Sequence, residues 1–172
     1  YVFRGTNGWI SDISKAIAMR LGYTIGYRSH YAYELATMWR ELITEMGGVN
    51  GGGIIIHYAH SLGGCDTDRA RTLLTPEEQK MIRVFTFGSA TMIRNRGFQQ
   101  VTNFISANDG VSSIFLEPLG RVRNFFDPNT NVVIYGTFSL SWWMSDHLLR
   151  GFTYQKIMQN LGQDFVEKYL LT

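Results

Sequence analysis

The chain has 172 residues, a length that suits one domain with a sizeable core. Its composition is 45% apolar and 17% charged, and the net charge of +2, with basic residues scattered, argues against a nucleic-acid groove. No apolar run approaches the roughly 20 residues that cross a bilayer, and the single Cys65 excludes an internal disulfide and Cys-rich zinc sites.

Tyr1-Val2-Phe3 reads as a strand stub broken at Gly5, with Thr6-Asn7-Gly8 as a tight loop. Trp9 to Leu21 has helical spacing, with Ile10, Ile13, Ile17 and Leu21 on one face. A second helix is predicted over Tyr31 to Met46, striped by Leu35, Met38, Leu42 and Met46 and ended by Gly47-Gly48. Ile54 to Ala59 is apolar on both faces except at His57, as a central parallel strand covered on both sides would be. It runs directly into His60-Ser61-Leu62-Gly63-Gly64, a bend that presents a serine hydroxyl.

The next stretch is helical in character to Leu74, and Thr75-Pro76-Glu77-Glu78 reads as an N-cap with Pro at the first helical position and a capping-box acid. Arg83 to Phe87, Val101 to Ser106 and Val132 to Tyr135 read as strands. Phe152 to Leu171 is an amphipathic helix whose stripe is Tyr154, Ile157, Met158, Leu161 and Phe165. Strands alternating with helices predict a three-layer α/β fold with a mainly parallel central sheet.

In such sheets chemistry gathers in the loops at the carboxyl ends of the strands. Those loops contain Gly5-Thr6-Asn7, His60-Ser61-Leu62, Gly88-Ser89, Asn108-Asp109-Gly110 and Ser145-Asp146-His147. A serine needs a base, and the base needs an acid to hold its tautomer. Ser61, Asp109 and His147 occur in the order Ser, Asp, His that α/β-hydrolases use. The plainer reading of Ser61 is a structural elbow serine, and that of Asp109 in Asn-Asp-Gly is a turn residue. Asp127 and Asp146 are the alternative acids, although Asp146, beside His147, is badly placed to reach that ring.

Among the other histidines, His57 and His60 stand three residues apart on a strand and point to opposite faces, which argues against a metal pair. His57 reads as a core histidine, His60 as a support of the elbow and His30 as a surface residue; Cys65 reads as a packing residue.

Four segments resemble the class 3 (fungal-type) lipase family of α/β-hydrolases. "VFRGTNGWISD" (2–12) is similar to its strand-to-oxyanion segment, and "YAHSLGG" (58–64) to its nucleophile elbow. "VFTFGSA" (84–90) is similar to the following strand, and "VTNFISANDGVSSI" (101–114) to the strand that delivers the acid. A second, weaker resemblance is to an uncharacterised chlamydial family with a Gly-Thr-Asn-Gly segment, a His-Ser elbow and a late Asp-His. Both imply the same fold. Against the lipase pattern, Ala59 replaces the first elbow glycine and Ser112 stands near the usual proline. The chain also begins at what corresponds to the third strand of that fold, so the domain is expected to be N-terminally truncated.

The resemblance implies a serine hydrolase acting on carboxylic esters, with lipid-like substrates and no cofactor or metal. In it Ser61 is the nucleophile, His147 the base and Asp109 the acid; Leu62 and Thr6 supply the oxyanion hole. Trp142 and Trp143 are candidate walls of an acyl pocket or simple core residues, and Trp9 with its helix a candidate lid. The rival from another class is a non-catalytic hydrolase-like scaffold for protein interaction. A third is transfer of the acyl group to an acceptor other than water.

Overall fold

The computed structural model describes residues 2–3, 30–109, 127–136, 146–147 and 152–169. Its elements in chain order are β1 (Val2–Phe3), α1 (His30–Glu45), β2 (Ile55–His60), α2 (Gly63–Arg71), α3 (Pro76–Gln79), β3 (Ile82–Phe87), β4 (Gln100–Ser106), β5 (Val132–Tyr135) and α4 (Phe152–Tyr169). The five strands form one sheet in the order β1-β2-β3-β4-β5, parallel throughout. The architecture is therefore α/β with a parallel sheet.

Register follows from side-chain alternation. Ile55 pairs with Ile82 and His60 with Phe87, while Val84 pairs with Val101 and Phe87 with Phe104. Ile55, Ile82, Val84 and Val101 point to one face, where they meet Leu35, Trp39 and Ile43 of α1 and Ala70 of α2. Phe87 and Phe104 point to the other face and pack on Tyr154 and Ile157 of α4. A sheet whose strands follow in sequence order, linked by crossovers of one hand, carries its crossover helices on one side. The helix after the last described strand is left to cover the opposite side.

The buried stripe of α1 differs from expectation. It consists of Ala32, Leu35, Ala36, Trp39 and Ile43, while Met38, Leu42 and Met46 are only partly buried. Trp39 sets the rotation, because its ring fits edge-on against both His57 (5.0 Å) and Phe98 (5.9 Å). Two strand and helix ends move as well. Ile54 lies outside β2 and is exposed, and α2 ends at Arg71 rather than Leu74. The Thr75 capping box is present, with Glu78 N–H donating to Thr75 Oγ1 and Thr75 N–H to Glu78 Oε2.

The β3–β4 connection contains no helix and is held instead by a buried amide. Asn103 Oδ1 accepts from Thr86 Oγ1 and the Ile93 N–H, and its Nδ2 donates to the carbonyls of Ile93 and Asn131. All four hydrogen-bonding positions of that side chain are used. Because every strand is parallel, all their carboxyl ends open on one edge of the sheet, where Ser61, Gly88 and Asp109 follow β2, β3 and β4.

Candidate active site

β2 ends at His60, and Ser61 turns the chain with φ 54°, the one non-glycine residue of positive φ among those described. Left-handed backbone at such a residue costs on the order of 1–3 kcal/mol and persists only where neighbours enforce it. Here the Ser61 N–H donates to Phe87 O, and Ser61 O accepts from the N–H groups of Gly64 and Ala90. A Cβ at Gly64 would overlap Ser89 Oγ, so the glycine lets the loop after β3 close against the first turn of α2.

The strand interior steadies that same turn. The Thr67 hydroxyl donates to Gly63 O at 2.7 Å, so its oxygen is left to accept from His57 Nε2 at 2.9 Å. His57 is thus the core histidine expected, and burial pushes its pKa down to about 3. Ser61 lies just before the N-terminus of α2, where Leu62 is the N-cap in helical conformation (φ −62°, ψ −26°). Among the described residues no backbone carbonyl accepts from the Leu62 N–H.

Ser61 Oγ lies 3.0 Å from His147 Nε2, and His147 Nδ1 lies 2.9 Å from Asp109 Oδ1. An ionised carboxylate only accepts, which puts the proton of a neutral ring on Nδ1 and leaves Nε2 to accept from the serine hydroxyl. Asp109 is fully buried, and a buried carboxylate needs donors. Beside the His147 ring it has Tyr154, whose hydroxyl donates to Oδ2 at 2.6 Å.

Asp146 and the backbone of His147 are held from two sides. Asp146 Oδ2 accepts from Ser106 Oγ (2.7 Å) and Thr153 Oγ1 (2.8 Å), tying it to the end of β4 and the first turn of α4. His60 Nε2 donates to His147 O at 2.6 Å, with the two rings 5.1 Å apart. Burial is the main reason that the His60 pKa is lowered; the bond to the His147 carbonyl opposes it. His60 therefore favours the neutral ring that donates from Nε2.

The structure thus brings Ser61, His147 and Asp109 into one hydrogen-bonded line. The alternative acids lie elsewhere: Asp146 bonds hydroxyls, and Asp127 pairs with Arg94 at 3.1 Å and accepts from the Asn129 N–H. That backbone bond is the leading cause holding the Asp127 carboxyl below its ordinary range. His30 is exposed and sits 2.9 Å from Glu34. Cys65, expected to be buried, is half-exposed. Thr6, Trp9, Trp142, Trp143 and the helix expected over Trp9 to Leu21 lie outside the described residues, as does Ser112.

Sequence reasoning placed Tyr154 only in an apolar stripe and missed its hydroxyl. A tyrosine in an otherwise apolar stripe is itself a signal, because a buried phenol finds a hydrogen-bond partner. Ser106, Thr153 and Gly88 carried no comparable signal, since their roles depend on the approach of distant elements.

Among the described residues no group of three or more His, Cys, Asp or Glu side chains is placed to hold a metal, and no helix is long and apolar enough to cross a membrane. In comparisons with protein families, curated proteins and solved structures, nothing matches this chain.

Proposed function

We propose that the chain is a serine hydrolase of the α/β-hydrolase type, cleaving carboxylic esters with apolar, lipid-like acyl groups. The observation that carries this reading is the continuous line from Ser61 Oγ through the His147 ring to Asp109, starting at a serine held at φ 54°. A strained, over-determined backbone at a polar residue is a feature of functional sites, and a hydroxyl bonded to an oriented imidazole is an activated nucleophile.

In this reading Ser61 Oγ bonds to the acyl carbon as its proton passes to His147 Nε2. The resulting imidazolium is stabilised by Asp109 through Nδ1–H. The tetrahedral oxyanion is met by the Leu62 N–H at the amino end of α2, with Thr6 as the second donor by resemblance. Collapse breaks the ester C–O bond, and the leaving alcohol takes the proton from Nε2. Water then repeats the cycle: His147 removes its proton, hydroxide adds to the acyl-serine, and Ser61 recovers its hydrogen. Trp142 and Trp143, in the bulky run before His147, are the proposed walls of the acyl pocket, and Trp9 with its helix is the proposed lid by resemblance. The apolar acyl group is favoured because an apolar pocket gains about 0.8 kcal/mol per buried CH₂.

The test is covalent labelling with a fluorophosphonate probe, with turnover of p-nitrophenyl octanoate as companion readout. The wild-type chain should label and Ser61→Ala should not, with circular dichroism unchanged between them. A folded wild-type chain that stays unlabelled would replace this reading by the non-catalytic scaffold. Labelling without turnover of any ester would point to acyl transfer.

A further inference from the structure

We infer that Tyr154 is a fourth member of the Ser61–His147–Asp109 line, a positioning residue that holds the second carboxylate oxygen of Asp109, and that position 88 is glycine to admit it. The kinetic part of this inference rests on the hydrolase reading.

Tyr154 is fully buried under the sheet, its ring edge-on to Phe87 at 6.0 Å. Its oxygen accepts from the Ser106 N–H at 3.1 Å and lies 2.6 Å from Asp109 Oδ2. The backbone amide occupies the acceptor side of the phenol, so the single hydroxyl proton is directed at the carboxylate. Asp109 thereby accepts from the His147 ring on Oδ1 and from Tyr154 on Oδ2.

Gly88 supports the same conclusion through sterics. It has φ 53°, and a Cβ there would collide with Asp109 Oδ2 and stand 2.8 Å from the Tyr154 oxygen. The backbone after β3 thus passes directly over the phenol–carboxylate contact. A side chain of any kind at position 88 would fill the space that contact occupies.

Deleting the hydroxyl leaves a carboxylate with one donor fewer. Such a carboxylate holds a positive imidazolium more tightly, so the acid limb of kcat/KM should move to higher pH. Its orientation is also less fixed, so kcat should fall. A residue that only packs would leave the acid limb where it is.

The experiment uses the full chain with Tyr154→Phe, which keeps the ring. We expect kcat on p-nitrophenyl octanoate to fall roughly tenfold, the loss of one modest hydrogen bond. KM should stay within about twofold if the effect is on the chemical step alone, and the acid limb should rise. A folded Tyr154→Phe protein with kcat and acid limb unchanged overturns the inference.

Should Tyr154→Phe fail to fold, 3-fluorotyrosine at position 154 keeps the shape and donates more strongly. Its acid limb should move to lower pH, and an unmoved limb overturns the inference. If the wild-type chain takes no fluorophosphonate, the hydrolase reading fails by itself. The positioning role is then read from the downfield proton resonance of His147 Nδ1–H. A displaced resonance in the Tyr154 variant supports the role, and an identical one overturns it.

Discussion

Ser61 carries a backbone that ordinary residues avoid, and the residue just before it helps to justify the strain. His60 ends the strand, and its Nε2–H is the donor that satisfies the carbonyl of His147. One histidine therefore positions the backbone of another, while the ring of the second serves Ser61. Losing that donor leaves a part-buried carbonyl poorly paired, a cost of about 1–3 kcal/mol. A glutamine amide reaches to about the same place as Nε2 and can donate there. His60→Leu should therefore be less stable than His60→Gln by an amount in that range, measured by urea unfolding. It should also label more slowly with fluorophosphonate, because His147 is less well held. Equal stability and labelling of the two variants would remove His60 from the site.

At the scale of elements, β2 is a strand with different chemistry on its two faces. His57 points into the core formed with α1 and α2, and burial lowers its pKa from 6.5 to about 3. Above pH 6.5 this ring is neutral in the folded and the unfolded chain alike. Between 6.5 and about 3 the unfolded chain binds a proton that the folded chain refuses, so stability falls as pH falls. Below about 3 both states carry the proton, and the loss stops. From pH 6.5 to pH 5 the loss from this group is about 2 kcal/mol. His60, also lowered, acts in the same direction. Urea unfolding at pH 7 and pH 5 should show the fall, and His57→Gln should flatten it; an equal slope in that variant would refute the account. These elements were readable from apolar spacing, since β2 to β5, α1 and α4 lie within one or two residues of expectation and α2 stops three residues short of it. Which face α1 buries was not, because methionine and leucine mark a stripe as plainly as alanine and tryptophan do. The fit of Trp39 against His57 exists only after folding. The same limit applies at the site. Ser61 and Asp109 were legible because each follows a strand end, and His147 because it comes third in a known order. Asp146 was set aside for its adjacency to His147, and it instead anchors that residue through Ser106 and Thr153. Phe165 was expected on the buried stripe of α4 but is exposed.

Over the whole molecule, two apolar clusters lie on opposite faces of one sheet, and they differ in their distance from Ser61. Ile43 belongs to the cluster under α1, in the last turn of that helix, close to the loop that enters the amino end of β2. The proposed site opens at the other, carboxyl end. Ile157 belongs to the second cluster, one turn beyond Tyr154 on α4, and so supports the residue that grips Asp109. Truncating either isoleucine to alanine removes buried volume and should cost roughly 2–5 kcal/mol. If the sheet unfolds as one cooperative unit, both variants lower a single thermal midpoint, read alike by circular dichroism and by loss of fluorophosphonate labelling. Their behaviour well below that midpoint should differ. Ile43→Ala should label at the wild-type rate, since its cavity lies at the far end of the strands. Ile157→Ala should label several-fold more slowly, since its cavity loosens the helix turn that positions Asp109. Equal labelling rates in the two folded variants would mean that the grip of Tyr154 does not depend on the packing beneath it. Two separate midpoints would mean that the two faces of the sheet do not unfold together.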